Sequence, residues 1–147
     1  MRIVVQRVKN ASVTVDNKEY DNIGRGLLLF VGIEKNDSIN DIEFVANKIL
    51  QLRMFPDDNN KMDKSILDIN GEILSISQFT LASNLKKGRR PDFSNAKSPK
   101  EAELLYKAFN SVLKKKTKLK EGVFGAMMNI QSINDGPVTF IIEKKEL

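Results

Sequence analysis

The feature that most constrains this chain is residues 73–81, Ile-Leu-Ser-Ile-Ser-Gln-Phe-Thr-Leu, a predicted strand that ends in small polar residues. Alternate side chains of an extended segment point to opposite faces, so Ser75 and Ser77 interrupt one half-apolar face, and Gln78 and Thr80 interrupt the other. A buried strand with hydroxyl and amide groups at its end indicates a cavity that needs hydrogen-bonding groups. The alternative is a core strand whose hydroxyls only satisfy neighbouring backbone groups.

Histidine and cysteine are both absent from the 147 residues. Their absence excludes Ser-His-Asp and Cys-His catalysis, disulfide bonds, and metal sites built on imidazole or thiolate ligands. Gly24 and Gly26 resemble half of a dinucleotide-binding fingerprint, but Leu29 stands where its third glycine belongs. Residues 57–63 have the composition of a calcium loop but lack its turn glycine, so they predict a surface turn. We therefore expect no metal and no cofactor.

The charge and length of the chain limit its class. A net charge of +5 and a pI near 9.4 favour anionic partners such as nucleic acid. The length predicts a single domain, residues 1–147. No apolar run is long enough for a signal peptide or a membrane span, so we expect a soluble, cytoplasmic protein with no membrane partner.

Local patterns predict the order strands, helix, strands, helix, strands. This order favours an α+β fold around a largely antiparallel, barrel-like β-sheet with two main α-helices. A helix over 39–53 is predicted from the capping box at Ser38 and Asp41 and from apolar residues at helical spacing. Asn70-Gly71 is typical of a hairpin turn. The other predicted strands are an opening hairpin of strands 2–8 and 11–16, a central strand 27–33, and strands 122–133 and 138–143 joined by residues 134–137. A second helix is predicted to begin at Ser98-Pro99 and to end at Lys114-Lys115-Lys116. Its predicted apolar stripe is Ala102, Leu105, Ala108, Phe109 and Val112.

A basic loop, residues 86–91, directly follows the polar strand end. A run of charge usually forms a solvated face. Because this run lies beside the predicted cavity, it is also a candidate for binding phosphate groups. Arg7 presents a similar choice, since an arginine in an apolar strand either reaches solvent or enters a site.

Two motifs in this order give the chain a resemblance to the D-aminoacyl-tRNA deacylases: residues 77–81, Ser-Gln-Phe-Thr-Leu, and residues 134–139, Asn-Asp-Gly-Pro-Val-Thr. The resemblance covers the whole chain. Met127 is a departure, because many relatives carry Asp there. The further matching residues are 2–8, Lys61-Met62, Ser65, Gly88, Arg90-Pro91, Phe93, Phe124-Gly125 and Met128.

The resemblance implies hydrolysis of the ester that joins a D-amino acid to the terminal adenosine of tRNA, with glycine mischarged on tRNA-Ala as a further substrate. It also implies a homodimer in which a Gly-cisPro segment of one subunit completes the active site of the other and rejects L-amino acids. The substrate partner is the acceptor end of aminoacyl-tRNA. The resemblance assigns catalytic positions to Ser77, Gln78, Phe79 and Thr80, and substrate-binding positions to Gly136, Pro137, Arg7 and Met128.

An aminoacyl ester is already activated, so a site without imidazole suffices if it supplies oxyanion donors and a placed nucleophile. Backbone N–H groups around Phe79 and Thr80 are candidates for these donors. The resemblance implies that the neighbouring ribose 2′-hydroxyl assists. Whether Thr80 attacks, orients water or only shapes the pocket stays open at this point.

Two other classes compete with this interpretation. A non-catalytic RNA-binding module would explain the positive charge, but the chain lacks the interleaved aromatic residues that single-strand binders use for stacking. An esterase with Thr80 as nucleophile and a lysine base is the third hypothesis.

Overall fold

The computed structural model describes residues 1–86 and 88–144. It contains two α-helices and a nearly closed, barrel-like mixed sheet. Its elements are β1 (Arg2–Val15), β2 (Lys18–Ile23), β3 (Gly26–Gly32), α1 (Ile39–Gln51), β4 (Phe55–Pro56), β5 (Met62–Lys64), β6 (Glu72–Ser77), a 3₁₀ turn (Phe79–Ala82), α2 (Pro99–Lys114), β7 (Lys118–Glu121) and β8 (Met128–Glu143). No helix among the described residues is both long and apolar enough to cross a membrane.

The long strand β1 organises the sheet. It pairs antiparallel with β2, β3 and β8. The predicted opening hairpin is wrong, because β1 continues through residues 9 and 10 and the chain turns at Asp16 and Asn17, with φ of 50° and 61°. Val8 and Ala11 are both buried although they are three residues apart, a spacing that would place them on opposite faces of a regular strand. Register shifts in the pairing with β8, between residues 6 and 10 of β1, account for this change of face.

Among the described residues the sheet is mixed: antiparallel pairings predominate, as expected, but two of its strand pairings are parallel. β6 lies parallel to both β3 and β7. Parallel neighbours need a crossover connection, and here α1 separates β3 from β6 while α2 separates β6 from β7. The predicted hairpin at Asn70 is therefore also wrong, since residues 66–70 form a turn in which the N–H of Gly71 donates to the carbonyl of Ile66 at 3.0 Å. Strand β7 has no counterpart among the elements predicted from sequence.

The two helices cover the sheet. The predicted capping box of α1 is confirmed: the N–H of Ser38 donates to the carboxylate of Asp41 at 2.9 Å, and the Ser38 hydroxyl accepts from the N–H of Asp41. Helix α2 begins at Pro99 as predicted, but its buried stripe is rotated from the predicted one. The buried side chains of α2 are Ala102, Tyr106, Phe109, Asn110 and Leu113, whereas Leu105, Ala108 and Val112 are only partly buried.

The C-terminal part of the chain forms one strand rather than two. Residues 122–127 lie outside any strand, and β8 runs without interruption from Met128 to Glu143. Gln6 pairs with Thr139 and Val8 pairs with Asn134, so residues 135–138 form a bulge that β1 does not match residue for residue. The predicted joining segment 134–137 is therefore largely this bulge.

Candidate active site

The carboxyl end of β6 delivers the first predicted motif to the surface. Residues 73–76 are buried, Ser77 is half-buried, and the 3₁₀ turn then exposes Phe79 and Thr80. The N–H of Gln78 donates to the carbonyl of Val31 at 2.8 Å, which ties the turn to β3. The predicted strand 73–81 is confirmed as far as Ser77, but Phe79 and Leu81 belong to the 3₁₀ turn, in which the N–H of Leu81 donates to the carbonyl of Gln78 at 3.2 Å.

A cleft of about 740 Å³ opens at this point, as the polar strand end predicted. Three segments line it: the end of β6 with the 3₁₀ turn, residues 93–102 with the first turn of α2, and residues 124–130. Its walls are mostly apolar. Four of the eight predicted site residues, Ser77, Gln78, Phe79 and Thr80, lie together on one wall, and Met128 lies on another.

The polar groups of the cleft are arranged as donors. The side-chain amide of Gln78 donates to the hydroxyl oxygen of Thr80 at 2.6 Å, which leaves the hydroxyl hydrogen available to a bound molecule. The N–H groups of Phe79 and Thr80 begin the 3₁₀ turn, and no acceptor for either is found among the described residues. No carboxylate lines the cleft in the described part of the chain, so Thr80 has no acidic or imidazole base beside it.

Two phenylalanine rings form an aromatic wall. The rings of Phe79 and Phe93 lie 5.1 Å apart between centroids, at an interplanar angle of 55°. Phe79 is 60% exposed and Phe93 is 40% exposed. Exposed, rigid aromatic faces beside a polar group are suited to a ligand that carries a planar ring.

The other three predicted residues are grouped on the β8 bulge. Arg7 donates through Nε to the carbonyl of Asp135 at 3.1 Å, forms an ion pair with that residue's carboxylate at 3.4 Å, and donates through Nη1 to the carbonyl of Met54 at 2.7 Å. Gly136 and Pro137 are exposed, and the bond between them is cis, as the resemblance implied. None of these three residues lines the cleft of its own chain.

Behind the cleft lies a polar contact that sequence analysis missed. The buried hydroxyl of Tyr106 donates to the carbonyl of Ser75 at 2.9 Å, and the Tyr106 ring packs on Phe124 with centroids 5.8 Å apart. Burial raises the pKa of Tyr106, so the hydroxyl stays a donor. The helical spacing of Tyr106 from Ala102 is the signal that could have identified it as a buried residue.

The basic loop is closed at its base, because Asn84 and Asp92 exchange backbone hydrogen bonds of 2.7 and 3.1 Å. Lys86, Arg89 and Arg90 are exposed. The fourth predicted cation of this loop, Lys87, lies outside the described residues.

The chain is similar to known proteins along its whole length. The sequence model of a family described as D-Tyr-tRNA(Tyr) deacylase matches residues 4–143. A D-aminoacyl-tRNA deacylase of Geobacillus sp. (strain WCH70) is 50% identical over 147 residues, which cover 99% of this chain and 97% of that protein. A D-aminoacyl-tRNA deacylase of Sulfurihydrogenibium sp. (strain YO3AOP1) is also 50% identical over 147 residues, which cover 100% of this chain and 100% of that protein.

Two solved structures have the same fold. A structure described as c-Myc DNA Unwinding Element Binding Protein is 43% identical, with a TM-score of 0.93 over 97% of this chain and 98% of that chain. A structure described as a probable eukaryotic D-amino acid tRNA deacylase is 16% identical, with a TM-score of 0.86 over 96% of this chain and 97% of that chain.

Proposed function

Because this chain belongs to the D-aminoacyl-tRNA deacylase family, we propose that it hydrolyses the ester bond of D-aminoacyl-tRNA and releases a D-amino acid and free tRNA. The observation that carries the proposal is the donor arrangement at the end of β6. There the Thr80 hydroxyl and the N–H groups of Phe79 and Thr80 border an apolar cleft with an aromatic wall. These features fit an ester whose leaving group is a nucleoside.

Catalysis rests on electrostatic stabilisation of the developing oxyanion. The ester carbonyl lies against the N–H groups of Phe79 and Thr80, and each such donor contributes about 3 kcal/mol where oxyanion holes have been tested by mutation. Thr80 acts as a donor and not as the nucleophile, because its hydroxyl oxygen accepts from Gln78 and no carboxylate lines the cleft in residues 1–86 and 88–144 to remove its proton. Water attacks the carbonyl carbon, the bond from that carbon to the ribose oxygen breaks, and the leaving ribose oxygen takes up the proton that the water gives up. The substrate's own 2′-hydroxyl, next to the reacting ester, assists this proton transfer.

Selection of the D-enantiomer is assigned to the β8 bulge of a second copy of the chain. Gly136 and Pro137 are exposed and lie outside the cleft of their own subunit, so they act in a cleft only if a partner brings them there. Arg7 fixes the bulge through Asp135, which keeps its backbone carbonyls in one position. A site that selects through backbone carbonyls distinguishes D- from L-amino acids and does not distinguish one side chain from another. Glycine has no side chain to exclude, so glycyl-tRNA, including glycine mischarged on tRNA-Ala, is a further substrate.

Strand β8, which carries the bulge, is suited to a homodimer contact. Ile133, Phe140 and Ile141 of β8 are 52%, 45% and 65% exposed, which is unusual for large apolar side chains on one strand. We expect Ile141→Asp to produce monomers that keep residues 77–81 intact yet lose D-aminoacyl-tRNA hydrolysis. Analytical ultracentrifugation and activity at the same concentration test this. A monomeric variant with full activity would exclude a site completed by the partner.

The deciding experiment compares D- and L-aminoacyl-tRNA as substrates. The proposed enzyme releases the D-amino acid and spares the L-enantiomer. A protein that only binds nucleic acid, as the 43% identical structure is described to do with DNA, would bind the RNA and release nothing. An esterase that uses Thr80 and lysine would hydrolyse both enantiomers.

A further inference from the structure

Lys97 is the one charged side chain that lines the cleft in residues 1–86 and 88–144. It lies in the segment that leads into α2, on the same cavity wall as Ala96 and Ser98. The side chain is half-buried. A single cation in a mostly apolar cleft has a strong effect on a charged ligand, because the low dielectric of the walls weakens screening.

The position of Lys97 is fixed by contacts with the loop that follows β3. The N–H of Lys97 donates to the carbonyl of Ile33 at 3.2 Å, and the N–H of Lys35 donates to the carbonyl of Asn95 at 2.8 Å. The Lys97 ammonium donates to the carbonyl of Lys35 at 2.8 Å. An ammonium has three donors, and the other two have no acceptor among the described residues.

The acidic residues of this loop are occupied elsewhere. Glu34 and Asp37 both accept from the α-amino group of Met1, at 2.7 and 2.5 Å. Among the described residues no carboxylate lies within salt-bridge distance of Lys97. The charge of Lys97 is therefore available to an anion that enters the cleft.

We propose that Lys97 binds the phosphate group on the 5′ side of the terminal nucleoside and so sets the direction in which aminoacyl-tRNA lies in the cleft. This inference rests on the deacylase function proposed above. The substrate has opposite charges at its two ends, since its amino group is protonated near neutral pH and its phosphodiester is anionic. Lys97 attracts the phosphate and repels the amino group, which directs the amino acid toward Thr80 and the base toward Phe79 and Phe93.

Three substrates separate this role from others: a D-aminoacyl-tRNA, the 3′-O-D-aminoacyl ester of adenosine 5′-monophosphate, and the same ester of adenosine without a phosphate. For K97Q, which keeps a donor for the Lys35 carbonyl, kcat/KM falls about tenfold on the two phosphate-bearing substrates and stays within about twofold on the adenosine ester. K97R retains most of the activity, because guanidinium also binds phosphate. The control K100Q removes an exposed lysine of the same segment that does not line the cleft, and leaves all three rates unchanged.

Two results with these substrates, and a third from RNA binding, would overturn the proposal. An equal loss on all three substrates would assign Lys97 to packing or to the reacting ester, and no loss on the phosphate-bearing substrates would exclude the contact. If the unmodified protein hydrolyses no D-aminoacyl-tRNA, the proposed function fails, yet Lys97 is still tested by binding of an uncharged RNA that ends in CCA. Its log–log salt slope, from fluorescence anisotropy, becomes shallower by about 0.7 in K97Q. An unchanged slope would reject the phosphate contact independently of catalysis.

Discussion

Replacing Gly136 with alanine tests how the β8 bulge is built. Gly136 has φ of +141°, in a backbone region that residues other than glycine rarely adopt. An added Cβ would lie 2.7 Å from Cγ2 of Val138 and 2.8 Å from its backbone nitrogen. The side-chain atom can rotate away, but the backbone nitrogen is held because its N–H donates to the side-chain oxygen of Asn134 at 3.0 Å. The bulge must therefore shift to accept the methyl group.

The magnitude follows from two separable contributions. A residue held in a rarely populated backbone region costs about 1–3 kcal/mol, and the close approach to Val138 adds to this cost. We expect Gly136→Ala to lower the free energy of unfolding by about 2–3 kcal/mol, which for a chain of this size is a fall in Tm of about 5–10 °C. Because the distorted carbonyls are those proposed to select the D-enantiomer, hydrolysis of D-aminoacyl-tRNA falls as well.

Two other glycines supply matched controls in urea denaturation. Gly88 has φ of +74°, and an added Cβ would have no neighbour within 4 Å among the described residues outside its two chain neighbours, so Gly88→Ala reports backbone strain. Gly24 has no positive φ, and within the described part of the chain an added Cβ would meet nothing within 4 Å beyond its chain neighbours, so Gly24→Ala should be close to neutral. We expect stability to decrease in the order Gly24→Ala, Gly88→Ala, Gly136→Ala. If Gly136→Ala unfolds at the same urea concentration as Gly88→Ala, the contact with Val138 has no cost and the argument is wrong.

Three further predictions concern the cleft, the basic loop and α1. Thr80→Ser should keep near-normal activity and Thr80→Val a measurable fraction, because the backbone donors remain; complete loss in a folded Thr80→Val protein would identify Thr80 as the nucleophile. Replacing the four cations of the basic loop, Lys86, Lys87, Arg89 and Arg90, with Gln should make the log–log salt slope of tRNA binding shallower by about 0.7–0.9 for each lost phosphate contact. An unchanged slope would show that the loop is only a solvated charged face. The pKa of Asp41 is lowered from 3.8 to about 2, first by its hydrogen bond with Lys144 and then by those with Ser38, so its contribution to stability is fully present above pH 4 and is lost as the pH falls toward 2. Asp41→Asn should remove part of the acid dependence of urea unfolding in that window, and a variant with an unchanged acid profile would contradict this assignment.

Helix α1 could be predicted from sequence because its signals are local. The capping box at Ser38 and Asp41 and the apolar spacing behind it lie within one segment, and the structure has both. The strand order could not be predicted in the same way. Asn70-Gly71 has the composition of a hairpin turn, yet the following strand pairs with β3 and β7, because the two helical crossovers bring parallel partners to both of its edges. The local turn preference of one dipeptide is outweighed by the pairing of β6 on both of its edges and by the burial of residues 73–76.

The same distinction applies to the cleft. Residues 77–80 are contiguous, so a strand that ends in polar groups was enough to predict that a cavity lies there. Lys97 has no such local signal, since it is one of 24 lysines and arginines in the chain and sits in an ordinary run before a helix. Its importance arises from the backbone contacts that join residues 95–97 to residues 33–35, and those contacts bring together segments that are about 60 positions apart in sequence. The charge that we propose orients the substrate is therefore a property of the tertiary fold, and only a structure could separate it from the other cations.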